Sequence, residues 1–210
     1  MRRMISFDLD GTLADTFPVI LPAFRQTVQH FTGRTIHDQE ILATFGKNEQ
    51  GMLQELLPEV PLATASAVFY QAYQRAHENL QQPFPGVRSL LDDLRAHGVG
   101  LTLITGKGQR SCDISLTMLG LTGYFEPILV GSPAHDVKTA NLKRLLAAQN
   151  LAPSELAYVG DAVTDIQAAQ AAGIHCYSAA WAPSAQPAQL GAMHADMYAT
   201  VSALQDALLG

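Results

Sequence analysis

Cysteine is scarce in this sequence. Only Cys112 and Cys176 occur in 210 residues, far apart and without metal-ligand spacing. That argues against a disulfide framework or a thiolate metal site and for two free thiols in a reducing compartment. Positive charge is scarce too, with 13 Lys and Arg against 19 Asp and Glu and a formal net charge of −6. A nucleic-acid binder held by a general basic field is therefore not expected. An anionic substrate has to be drawn in by something local, either a metal ion or a few placed cations. No run of 18 apolar residues is present, so no membrane-spanning helix is expected. The apolar run near the start ends at Phe7 and acids follow at once, which does not fit a signal peptide. The expected location is the cytoplasm. Internal repeats and low-complexity tracts are also missing.

Against these absences, 48% of the residues are hydrophobic, enough for a substantial core. The apolar residues fall in a rhythm. Short aliphatic runs at 4–7, 99–106, 127–131, 156–161 and 174–178 read as strands buried on both faces. Segments with helical periodicity lie between and after them, at 86–98, 111–121, 139–151, 163–174 and 201–209. Strand and helix in alternation with short connections predict an α/β domain built on a parallel sheet. Residues 16–82 break the rhythm with helical patterns at both ends and no convincing strand between. They read as an all-helical insertion that ends at the Pro-Phe-Pro-Gly step of residues 83–86. The expected division is an α/β core of residues 1–15 and 83–210 with a helical cap of residues 16–82.

Four places carry residues suited to chemistry. In "ISFDLDGTLAD" (5–15), Asp8 and Asp10 stand at the end of the first strand, with Asp15 further on. Alternation puts positions i and i+2 on one side, and in a parallel sheet ligands collect beyond the carboxyl ends of the strands. Two neighbouring carboxylates repel unless a cation intervenes or one is protonated. A solvated Asp-Gly turn is the bland alternative. Thr105, followed by Gly106 and Gly108, ends the second strand with a hydroxyl and backbone N–H groups that suit an anion. Lys138 stands where a helix begins, the wrong end of the dipole for a cation but the right place to meet an anion. In "YVGDAVTD", Asp161 ends the fourth strand and Asp165 opens a helix, where a simple N-cap role competes. All four places converge on one edge of one sheet.

Several carboxylates with only oxygen ligands suit Mg²⁺. A carboxylate can take a phosphoryl group as a nucleophile, and a second can act as acid and then base. Lysine, threonine and backbone N–H groups supply the electrostatic clamp that phosphoryl transfer requires.

The motifs "DLDGTLAD", "LITG", the Lys138 region and "GDAVTD", in that order, resemble those of the haloacid dehalogenase superfamily. The similarity is to its phosphoglycolate-phosphatase-like branch, which carries a helical cap after the first strand, and it covers essentially the whole chain. The resemblance implies a Rossmann-like sheet of order 5-4-1-2-3. It implies a Mg²⁺-dependent phosphatase acting on a small organic phosphate ester, with phosphoglycolate as the leading example. Asp8 would be nucleophile and metal ligand, and Asp10 the general acid and base, whose backbone carbonyl also touches the metal. Thr105, Gly106 and Lys138 would hold the phosphoryl oxygens. Asp161 would bind Mg²⁺, with Asp165 as a further ligand or supporting partner.

Two departures from the family pattern stand out. Ala162 replaces a common Ser, and "KTANL" replaces a proline-containing third motif. Rival readings are a dehalogenase, which Asp10 and the acidic fourth motif argue against, a phosphomutase, and a non-catalytic phospholigand-binding protein. Within the insertion, "FGKNEQ" (45–50) offers Lys47 as a substrate contact or a plain surface loop. The seven histidines form no ligand set, Trp181 reads as packing, and the sequence sets no oligomeric state.

Overall fold

A computed structural model describes residues 2–193 and 196–210. Six parallel strands form one sheet in the order β3-β2-β1-β4-β5-β6. They are β1 (Met4–Phe7), β2 (Gly100–Ile104), β3 (Ile128–Leu129), β4 (Leu156–Gly160), β5 (His175–Ala179) and β6 (Met197–Tyr198). Read from the other edge, the first five strands have the expected order, and β6 extends the sheet beyond it. The structure also trims the third strand from the five residues expected to two. Its pairing with β2 covers only Leu103↔Ile128 and Ile104↔Leu129 before the chain turns toward the next helix.

Both faces of the sheet are covered, which is why its strands read as unbroken apolar runs. Ile5, Phe7, Leu101, Leu103 and Val159 pack on one side with the apolar stripe of α5 (Val87–Ala96) and with α10 (Val201–Leu209). Ile104, Leu156, Tyr158 and Cys176 pack on the other with α7 (Lys138–Ala148) and α8 (Val163–Ala172). The flanking α6 (Gln109–Met118) follows β2, and a short α9 (Pro187–Met193), absent from the expectation, precedes β6. Cys112 and Cys176 are both buried and free. Among the described residues, no helix is long and apolar enough to cross a membrane.

Between β1 and α5 the structured elements are all helical: α1 (Phe17–Thr32), α2 (Asp38–Leu42), α3 (Glu49–Leu56) and α4 (Leu62–His77). They have an apolar cluster of their own, in which Phe24 of α1 and Phe69 of α4 meet with ring centroids 4.6 Å apart. Gly33, at φ 68°, ends α1, and the Asn48 side chain caps α3 by accepting from the N–H groups of Gln50 and Gly51.

Candidate active site

The parallel register brings the predicted residues to one edge. Phe7 is level with Leu103 of β2 and Val159 of β4, so the chain leaves all three strands side by side. Asp8 continues the ladder by donating its N–H to the Val159 carbonyl at 2.8 Å. Two glycines permit the crowding that follows. Gly11 has φ +76°, and a Cβ there would lie 2.2 Å from Asp161 Oδ2. At Gly160 a Cβ would lie 2.5 Å from the Asp165 carboxylate. Any side chain at either place would push the acids apart.

Asp8, Asp161 and Asp165 each bring one carboxylate oxygen within 4.8 Å of the others. Lys138, the first residue of α7, reaches into this group and donates to Asp8 Oδ2 at 2.9 Å and Asp165 Oδ1 at 2.6 Å. Asp165 has both oxygens engaged, since Oδ2 also accepts from the Ala162 N–H at 3.0 Å. Asp161 accepts from the Thr12 hydroxyl at 3.0 Å. By contrast, Asp8 Oδ1 is buried and has no hydrogen-bond partner.

The electrostatics follow from this burial. Asp8 is pushed up to about 7, chiefly by desolvation and further by Asp165 and Asp10, with Lys138 opposing. Burial likewise lifts Asp161 well above the usual carboxylate range, with Asp165 and Asp8 adding to it. Burial disfavours the charge on Lys138, but Asp165 and Asp8 outweigh it and hold the ammonium well above its ordinary value. An oxygen-only donor set, with acids that burial drives toward protonation and one orphaned carboxylate oxygen, fits a hard divalent cation such as Mg²⁺. Asp8 and Asp161 have the oxygens to offer it; Asp165 is already committed to Lys138 and its own helix.

The Asp10 side chain turns away from that group. Its Oδ1 receives Lys107 Nζ at 3.0 Å and the Thr16 hydroxyl. Sequence reasoning missed Lys107. It is 6% exposed, sits 4.8 Å from the centre of the Tyr73 ring of α4, and is held charged by Asp10 and Tyr73 against the cost of burial. The available signal was its place in "TGKG", a lysine just past a strand end at the converging edge. Thr105 is buried beside it, with Oγ1 accepting from the Lys107 N–H at 3.2 Å. Gly106 lines the same cavity as Asp8, Asp10 and Lys138.

The helical segment is docked over this edge. Glu49 at the start of α3 accepts from the Gly108 N–H and the Tyr70 hydroxyl, each at 2.7 Å. The Asn48 N–H donates to Ser132 O at 2.8 Å, and a Cβ at Gly51 would stand 2.0 Å from Pro133 O. Across the other side, Tyr73 and His77 both meet the Ser115 hydroxyl, at 2.7 and 2.9 Å. Between the segment and the sheet edge lies a cavity of about 290 Å³. Lys47 lines it while pairing with Glu55 at 2.6 Å. Trp181 packs, its ring N–H donating to Thr12 O at 3.0 Å. His194 lies outside the described residues.

Residues 5–179 match the haloacid dehalogenase-like hydrolase family. The chain belongs to the haloacid dehalogenase-like hydrolases, in their phosphoglycolate-phosphatase-like branch. Among relatives of this hydrolase, the phosphoglycolate phosphatase of Pseudomonas putida is 32% identical, the match covering 84% of this chain and 68% of the relative. That of Xylella fastidiosa is also 32% identical, covering 85% and 80%. The hydrolase also shares its fold with CbbY from Rhodobacter sphaeroides in complex with phosphate, at TM-score 0.73 and 20% identity over 85% of this chain and 86% of that one. A haloacid dehalogenase-like hydrolase from Streptococcus pneumoniae has TM-score 0.73 and 23% identity over 100% and 99%.

Proposed function

We propose that this enzyme is a Mg²⁺-dependent phosphatase that hydrolyses a small organic phosphate monoester through an aspartyl-phosphate. The observation that carries this reading is the unpartnered, buried Asp8 Oδ1 at an edge shared with Asp161, Lys138 and Asp10. Asp8 is the nucleophile. One of its carboxylate oxygens bonds to the phosphorus as the ester P–O bond breaks, the other being left for the cation, and Asp10 gives its proton to the departing alcohol oxygen. In the second step Asp10 takes a proton from water, whose oxygen displaces Asp8 from the phosphorus. The net change is ester plus water to alcohol plus phosphate.

Lys138 neutralises the phosphoryl oxygens, and the hydroxyl of Thr105 and the N–H of Gly106 donate hydrogen bonds to them. Lys107 holds the Asp10 carboxylate in place against Tyr73. Asp8, Asp161 and the Asp10 carbonyl, with Asp165 behind them, would hold Mg²⁺, which would supply the charge neutralisation that phosphoryl transfer needs. Residues 16–82 act as the cap over a core of residues 1–15 and 83–210 and limit the access of bulk water. Two buried free thiols suit a reducing cytoplasm.

The test is phosphate release from a panel of small phosphate esters, with and without Mg²⁺. Release that depends on Mg²⁺ and is abolished by Asp8→Asn is the expected result. Folded protein that binds Mg²⁺ but releases no phosphate would sink the proposal in favour of a mutase or a binding protein.

A further inference from the structure

The cavity has two unlike halves. Its floor, at the sheet edge, is charged. Its roof is mainly apolar, with Phe17 and Phe45 at its surface and the buried Ile20 and Phe24 of α1, Met52 of α3 and Phe69 of α4 behind them. Some of these residues have an ordinary reason to be apolar, because Ile20, Phe24, Met52 and Phe69 also belong to the core of the helical segment. Phe17 and Phe45 do not. Neither packs into an apolar core cluster, Phe45 is 43% exposed, and their rings stack on each other at 6.1 Å beside the cavity. A phenyl pair at a cavity wall, one ring exposed and the other half-buried, adds nothing to a core, so contact with a ligand is its best use.

Most polar groups of the roof are engaged, and its one cation, Lys47, is half-exposed and shared with the exposed Glu55. Both Glu49 oxygens accept hydrogen bonds, Tyr73 is bound to Ser115, and Lys47 is paired with Glu55. The floor offers no spare cation either. Five carboxylates and three lysines line the whole cavity. Lys138 is held by Asp8 and Asp165, and Lys107 by Asp10. A phosphoryl group and one divalent cation use up what positive charge remains. A second anion on the substrate, such as the carboxylate of phosphoglycolate, would lie against phenyl rings and could be met only by Lys47, which it would have to draw from Glu55. Sugar hydroxyls would find equally few donors and acceptors there.

We infer that the alcohol half of the substrate is uncharged and mainly apolar, an alkyl or arylalkyl group lying under Phe17 and Phe45, and that phosphoglycolate is a poor substrate. This rests on the phosphatase reading and narrows it.

The experiment compares kcat/KM for methyl, ethyl, propyl, butyl and benzyl phosphate with that for phosphoglycolate and glycerol phosphate, all with Mg²⁺. Their alcohols are poor leaving groups of similar kind, so the comparison reports on binding to the roof. The alkyl series should climb about fourfold per methylene, with phosphoglycolate about tenfold or more below butyl phosphate. Phe45→Arg, at an exposed position that tolerates substitution, should invert the order by lowering the butyl ester and raising phosphoglycolate. A flat alkyl series, or phosphoglycolate equal to or better than the butyl ester, overturns the inference and leaves the phosphatase intact. Failure to release phosphate from any ester overturns both, and is a different result.

Discussion

Lys107 is a cation withdrawn almost completely from water, with one carboxylate and one aromatic face to hold it. Removing it strands the Asp10 carboxylate, which keeps only the Thr16 hydroxyl. Breaking a buried pair from one side costs several kcal/mol, less here because Asp10 retains 20% side-chain exposure. Lys107→Met should therefore lower stability by about 2 kcal/mol and cut kcat by about tenfold or more. Unchanged kcat with the expected loss in melting temperature would reduce Lys107 to a structural role. Asp8, Asp10 and Asp161 were legible in the sequence because they follow apolar runs at strand ends, where charge has no packing reason to be, whereas Asp165 opens a helix and was legible only beside them. Lys107 was not legible, because a lysine between two glycines reads as a surface loop. Its burial depends on Tyr73, brought over it by a helix distant in sequence.

At the scale of elements, the joint between α3 and the loop after β3 is made by close backbone approach. The Asn48 N–H, the Asn48 amide (to Gly131 O at 3.3 Å) and the bare Cα of Gly51 all press on residues 131–133. A methyl group at Gly51 would collide with the Pro133 carbonyl, an atom that cannot rotate away. Gly51→Ala should hold the helical segment off the site, raising KM about tenfold or more while the far-ultraviolet helix signal stays as it was. Wild-type KM in that variant would show that the loop yields. The strands β1, β2, β4 and β5 were readable because burial on both faces leaves a run of aliphatic residues. The two-residue β6 was too short to have a pattern, and its pairing with β5 is a tertiary outcome. The end of β3 came early for a similar reason: Val130 and Gly131 are apolar and extended in composition, but the chain there is already serving the joint with α3.

For the molecule as a whole, the acids at the sheet edge are a source of instability until a cation is present. Asp8 is raised to about 7 and Asp161 well above its usual range, chiefly by burial. In the window between the ordinary carboxylate value, about 4, and these raised values, the folded chain holds protons that the unfolded chain has lost. Stability without metal therefore falls as pH rises through that window. Millimolar Mg²⁺, if it is the cation proposed for this site, would bind the folded state and relieve the repulsion. It should raise the melting temperature by several degrees at about pH 7.5 and by much less at about pH 5, where the acids carry protons. Calorimetry at the two pH values checks this, and an equal shift at both would contradict the proposed role of the buried acids.

The central strand of the sheet is also the earliest in the chain. Met4 of β1 pairs with Gly100 on one side and with Leu156 on the other, so about half of the chain is made before β1 has its first neighbour and about three-quarters before it has its second. During synthesis the helical segment, which holds an apolar cluster of its own, is complete while β1 still waits. Closing such long loops is slow relative to forming local helices. The unpaired "MISF" strand then depends on its shortness, and on the acids at its end, to stay out of intermolecular pairing. The same charges proposed to face a phosphoryl group in the finished enzyme would thus also disfavour strand pairing of the nascent chain before there is a site for them to serve.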